Sequence, residues 1–208
     1  MSNIFNEAPV LLLEGEDDER IWQQAVRTSR GSIKVYPCVC GDINKLNEFE
    51  KETKKIINAV YDNAKAYSLR DRDDSDEPIE DLPPITRMKL SCRNAENLLL
   101  SNEVLDRFNL NWSNLKKKID EWVEKNTEHP HYSAMQKFKE SNYDRKNSNL
   151  KEIRNDLMHI IGSSKPWEVV VGQVIASLNW DEQTDFSEDG NIYNFLGEKV
   201  TKNLCPKN

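Results

Sequence analysis

Residues 9–14 read PVLLLE, a short unbroken apolar run that stops at a carboxylate, followed by Gly15 and then Glu16, Asp17, Asp18 and Glu19. A strand that is apolar at every position, not every second one, has no solvent face and must be covered on both sides. That requirement points to a sheet held between layers of helix. It also raises a question. Glu14 ends the most hydrophobic short segment of the chain, where a carboxylate is hardest to keep charged.

The residues after it supply the layers. Ile21, Trp22, Ala25 and Val26 share one helical face, and Gly31 closes the segment. Asp17, Asp18 and Glu19 fall in its first turn, where acids suit the helix dipole. Residues 33–40, IKVYPCVC, predict a second strand, and Asp42 an N-cap. Ile43, Leu46, Phe49, Ile56, Ile57, Val60 and Ala64 predict the buried face of an amphipathic helix. Residues 66–70, AYSLR, predict a third strand ending in DRDDSD. Strand and helix alternating in this order imply a parallel sheet. Beyond the acidic, proline-rich loop 74–84, ITRMKLSC alternates, with Met88, Leu90 and Cys92 on one face, as an outer strand does. RNAENLLLS reads as a short helix.

Residues 102–160 change character. NWSNLKKKIDEWVEKN, SAMQKFKESN and LKEIRNDLMHIIG are lysine-rich with apolar residues at helical spacing, and read as a helical insertion within one domain spanning 1–208. PWEVVVGQVIASL is rich in valine, yet Trp167, Val170, Val171, Val174, Ile175 and Leu178 follow helical spacing, and Pro166 suits a helix start. NIYNFLGEKVTKNL predicts one last helix. The expected class is α/β: an open, mainly parallel sheet of about four strands flanked by helices, with a helical insertion.

Composition narrows the function classes. The 208 residues are 37% hydrophobic and 31% charged, enough for a core under a heavily charged surface. No run approaches the ~20 apolar residues of a membrane span. MSNIFNEAPV has neither the basic start nor the apolar middle of a leader, so a cytoplasmic protein is expected. Cys38, Cys40, Cys92 and Cys205 complete no zinc spacing and read as reduced, packed thiols. The net charge of -7 argues against nucleic-acid binding through the overall field. Such binding needs a divalent cation or a basic partner to compensate.

The acids are where chemistry is expected. In an open α/β sheet, ligands bind beyond the carboxyl ends of the strands. Glu14 ends the first strand, Asp71 and Asp73 follow the third, and Asp18 lies one helical turn behind Glu14. Converging carboxylates repel; they take up protons or share a cation. Oxygen-only ligands favour Mg2+ or Mn2+ over zinc, and such an ion is completed by water and phosphate oxygens.

These residues carry a resemblance. LLLEGEDD, with SLRDRDD later and the glycine-marked turn VCGD between, resembles the Toprim domain of topoisomerases, bacterial primases and OLD-family nucleases. RNAENLLL and KPWEVVVGQVIA…NIYNFLGEKV resemble OLD-type Toprim proteins and related effectors of anti-phage systems. The likeness covers residues 9–100 well and 160–200 loosely. It implies a Toprim-like sheet and Mg2+- or Mn2+-dependent cutting of DNA or RNA. On it, Glu14 matches the glutamate assigned to metal binding or acid–base work, and Asp71 and Asp73 match the Asp-x-Asp ligands. Asp18 falls at a second acid that is usually Glu in OLD nucleases. Glu96 matches a candidate second-metal ligand, and Lys165 falls near a lysine used on the transition-state phosphate. The chain has no GxxxxGK[ST] phosphate loop, so the resemblance implies an effector working with a separate ATPase subunit, with a homo-oligomer as a further possibility.

Plainer readings stand beside these. Asp-rich loops are commonly solvated turns, Glu96 also suits a helix start or a pair with Arg93, and Lys165 also suits an exposed position before proline. Asp17, Asp74 and Asp76 read as surface acids, and His129 and His131 in EHPHY as solvent-exposed loop residues. Two other functions remain open: a catalytically inactive Toprim subunit serving assembly or inhibition, and a receiver- or phosphatase-like fold with a phosphoryl-accepting aspartate.

Overall fold

The computed structural model describes residues 8–60, 64–179 and 184–205. Residues 1–7, part of the stretch read for a leader, lie outside this description. Strands β1 (Val10–Leu13), β2 (Tyr36–Val39), β3 (Ala66–Arg70) and β4 (Ile85–Lys89) alternate with helices α1 (Glu16–Thr28) and α2 (Ile43–Val60). The four strands form one sheet in the order β2-β1-β3-β4, and every neighbouring pair is parallel. The expected α/β class, strand number and outer position of β4 are borne out.

The apolar run explains the layering. Leu11 and Leu13 pack with Ile21, Trp22 and Ala25 of α1 on one face, while Leu12 packs with Cys40 and Leu46 on the other. The chain leaves β1 for β2 on one side and then crosses to β3 on the other. The carboxyl ends of β1 and β3 therefore flank the point where strand order reverses, the usual crevice of an open sheet.

After β4 come a 3₁₀ helix (Ala95–Leu100), α3 (Asn102–Asp106), α4 (Trp112–Lys125), α5 (Tyr132–Glu140), α6 (Arg154–Ile161), α7 (Trp167–Ile175), α8 (Ile192–Leu196) and α9 (Glu198–Leu204). One apolar cluster runs from Leu11 and Trp22 through Leu99 and Val171 to Leu115, Ile119, Met135 and Leu157. Buried Arg145 adds polar stitching: it donates to the Leu100 carbonyl at 3.2 Å, to Asn102 Oδ1 at 2.8 Å and to the Asp189 carbonyl at 3.1 Å.

Three expectations are corrected. On α2, Ile43, Phe49 and Ile56 face solvent, and the sheet side is taken by Leu46, Glu50 and Ile57. Glu50 is fully buried because two cations and a hydroxyl donate to it: Arg70 at 2.6 Å, Arg87 through Nε at 2.8 Å, and Ser68 Oγ at 2.6 Å. The helix expected through 150–161 starts only at Arg154. The last helix is two, broken at Gly197, whose φ of 86° is left-handed and whose absent side chain makes room for Ser91 Oγ.

Candidate functional site

Of the sequence-predicted acids, Asp18, Asp71 and Glu96 line one cavity at the carboxyl edge of β1 and β3, Glu14 directly follows β1, and Asp73 is joined to Asp71 through Asn94. Asp71 follows β3 directly and is fixed by two donors: the Ala95 N–H to Oδ1 at 3.0 Å, and Asn94 Nδ2 to Oδ2 at 3.0 Å. The same Asn94 amide nitrogen lies 3.0 Å from Asp73 Oδ1. Asp73 is exposed and left-handed at φ 50°, so Asn94, rather than an extended strand tip, gathers the two aspartates. Asp18 sits in the first turn of α1, its Oδ2 accepting the Gly15 N–H at 3.2 Å. Glu96 is buried in the 3₁₀ helix.

The electrostatics record the crowding. Burial, then the charge of Asp71, pushes Glu14 from its ordinary 4.5 up to about 7. Burial raises Asp18 well above the usual carboxylate range, with Asp71, Glu96 and Glu14 adding to it. Asp71 is raised by burial and by Asp73, against the Asn94 hydrogen bond and Lys151. Glu96 is raised by burial and by Asp71. These groups feel one another, which carboxylates scattered over the molecule would not.

A cavity of about 400 Å³ opens here, lined by Gly15, Asp17, Asp18, Asp71, Glu96, Lys151, Arg154 and Trp167 among others. Two cations reach it from 102–160, and sequence reasoning missed both. Lys151 Nζ lies 3.7 Å from Asp71 Oδ2. Arg154 lies 3.6 Å from Glu96 Oε1 and 3.4 Å from Asp17 Oδ2, so Asp17 belongs to this cavity and is not a free surface acid. Lys165 is exposed and lines an adjoining cavity that shares Asp17, Arg154 and Trp167. Asp74 and Asp76 pair with Arg93 and Arg72 at the surface.

Among the described residues, one group of three or more His, Cys, Asp or Glu brings its ligand atoms within 4.8 Å of one another: His129, His131 and Asp156. These histidines are half-buried and partnered, not the solvated loop residues expected. Among the described residues, no three of the sheet-edge carboxylates converge to that distance. No helix among them is long and apolar enough to cross a membrane.

Fold and site together define an α/β protein with a half-buried group of carboxylates at the switch point of a parallel sheet. No family model matches the sequence, and no curated protein is significantly similar to it. Two solved structures are similar in fold. One is the C-terminal region of the Xanthomonas campestris pv. campestris OLD protein phased with platinum, at TM-score 0.43 and 14% identity over 97% of this chain and 93% of that one. The other is the same region phased with iodine, at TM-score 0.37 and 14% identity over 81% and 84%.

Proposed function

We propose that the chain is a metal-dependent phosphodiesterase of the Toprim type, cutting DNA or RNA as the effector of an ATPase-paired anti-phage defence system. The observation that carries this reading is geometric: Asp18, Asp71 and Glu96 line one cavity at the carboxyl ends of β1 and β3, and Asn94 holds Asp73 beside Asp71. A fold keeps such a cluster, at a cost in stability, when a cation or a reacting group is to meet it.

The donor set is all oxygen, which fits Mg2+ or Mn2+. Magnesium is commonly held through one or two carboxylates with the remaining positions left to water and phosphate oxygens. Asp71 and Asp73, already aligned by Asn94, are the residues to hold it, with Asp18, Glu14 and Glu96 close by. When bound, the ion supplies charge neutralisation at the phosphate. Glu14, half-buried directly after β1, is the residue to take a proton from an attacking water, the role that the family resemblance assigns to it. Lys151, beside Asp71, is placed to offset charge on the phosphoryl oxygens, the role that the family resemblance assigns to Lys165.

One observation favours a second reading, a catalytically inactive subunit for assembly or inhibition. Lys151 and Arg154 already answer two of the carboxylates as a cation does. The two readings part in one assay. Purified chain is incubated with plasmid and with RNA, with and without Mg2+ or Mn2+, alone and with a candidate partner ATPase. Cutting that needs the metal and is lost in Glu14→Ala and Asp71→Ala supports the nuclease. No cutting in any arm, partner included, supports the inactive subunit.

A further inference from the structure

The second cluster lies away from the acids, in 102–160. His129 and His131 occupy the connection between α4 and α5, and Asp156 sits in the first turn of α6. His131 Nδ1 is 2.7 Å from Asp156 Oδ2, and His129 Nε2 is 3.9 Å from Asp156 Oδ1. The two rings meet edge to face at 5.3 Å, and Trp122 packs edge-on against His129 at 5.0 Å. Pro130 between the histidines restricts the backbone that presents them. The histidine side chains are 34% and 43% exposed, so an ion can enter and keep a water.

We propose that His129, His131 and Asp156 form a transition-metal site of the zinc class, with three protein ligands and a further position left to water. Two imidazoles and a carboxylate are a donor set that zinc and its neighbours take and that magnesium does not prefer. The site is therefore chemically distinct from the oxygen-only cluster at the sheet edge. His129 Nδ1 accepts the His131 backbone N–H at 3.2 Å, which leaves the ring proton on Nε2. Coordination through Nε2 moves that proton to Nδ1 and gives up this long hydrogen bond, and the ion also takes the place of the 2.7 Å hydrogen bond between His131 Nδ1 and Asp156 Oδ2. In exchange the ion ties the α4–α5 connection to α6. Arg154, the first residue of α6, contacts Glu96 and Asp17 in the acid cavity, so the staple also steadies that guanidinium.

The test reads metal uptake, not activity, so its failure and that of the proposed function are separable. The full chain, stripped with chelator, is titrated with ZnCl2 in a calorimeter and with Co2+ followed by visible absorption. An Asp71→Asn background removes a sheet-edge ligand. The expected result is one zinc per chain in that background, a ligand-field cobalt spectrum, and a melting temperature raised by zinc but not by Mg2+. His131→Gln and, separately, His129→Gln should each weaken uptake at least tenfold, with far-ultraviolet circular dichroism confirming the fold. No saturable zinc uptake in the Asp71→Asn chain, or uptake unchanged by both histidine substitutions, would overturn the proposal. A His131→Gln chain that misfolds leaves His129→Gln to decide.

Discussion

Two residues hold most of the chemistry, and each gives a prediction. Asp71 accepts from Asn94 and Ala95, so Asp71→Asn keeps its shape, removes its charge and leaves one of those two donors facing an amide N–H, at a cost of about 1–3 kcal/mol. Metal-dependent cutting by the folded variant should fall on the order of 10²-fold or more; full cutting by a variant shown to be folded would remove Asp71 from the chemistry. Glu14 is the pH-sensitive one. Its folded-state pKa is raised, so between the ordinary 4.5 and about 7 the folded chain holds a proton the unfolded chain has released. Stability is then full below that window and falls as pH rises through it. Glu14→Gln cannot charge and should lose less over the same rise, by on the order of 1 kcal/mol after discounting for solvent exposure. Urea unfolding of both proteins below pH ~5 and above pH ~8, in chelator, checks this; parallel curves would sink it. Glu14 and Asp71 are legible in the sequence because strand ends declare themselves, Asp18 because it falls one helical turn behind Glu14, and Glu96 only through the family resemblance. Asn94, Lys151 and Arg154 are not, since only tertiary packing brings 145–154 over the sheet edge.

At the scale of elements, hydrophobic runs are legible in the sequence and faces are less so. Leu11 to Leu13 sit where their apolar run predicts, because an unbroken run tolerates one arrangement, and β3 falls at AYSLR as predicted although Ser68 and Arg70 interrupt its apolar residues. The face of α2 departs from its apolar pattern for a physical reason. Counting apolar residues assumes that charge stays outside, whereas Glu50 is drawn in by Arg70 and Arg87 on β3 and β4. The valine-rich α7 is a helix, as its spacing predicts, but that spacing does not reveal how closely it approaches α1. Gly172 permits that approach: a Cβ there would come 2.4 Å from the Ile21 carbonyl oxygen and 2.8 Å from Gln24 Cβ. The first contact is with backbone and cannot swing away. Gly172→Ala should cost about 1–3 kcal/mol despite its better helix propensity, lowering Tm by roughly 3–9 °C. A Tm that stays level or rises in a scanning melt would show that the two helices can part freely.

Across the whole molecule, the open matter is how firmly 102–160 belongs to the sheet. The sequence marks this stretch by its lysines and its lack of strands, which says nothing of cooperativity. The structure offers a mechanism for coupling. Arg145, inside the stretch, is buried and bonds to Leu100, Asn102 and Asp189, while its guanidinium lies 4.7 Å over the Trp112 ring. Gly190 has no side chain, and any Cβ there would overlap that guanidinium, so the C-terminal segment closes over it. Removing Arg145 leaves two carbonyls short of a donor and a void beside Trp112. Arg145→Ala should therefore cost about 2–4 kcal/mol. Its effect on the shape of the transition is more telling than its size. A chain that unfolds as one unit gives a single calorimetric peak with matching calorimetric and van't Hoff enthalpies, and the substitution moves that peak bodily downward. Two peaks in the unsubstituted chain, only one of them moved by Arg145→Ala, would mean that 102–160 melts alone. The acid cavity would then be assembled from two independently folding parts, since Lys151 and Arg154 reach Asp71, Glu96 and Asp17 from that stretch.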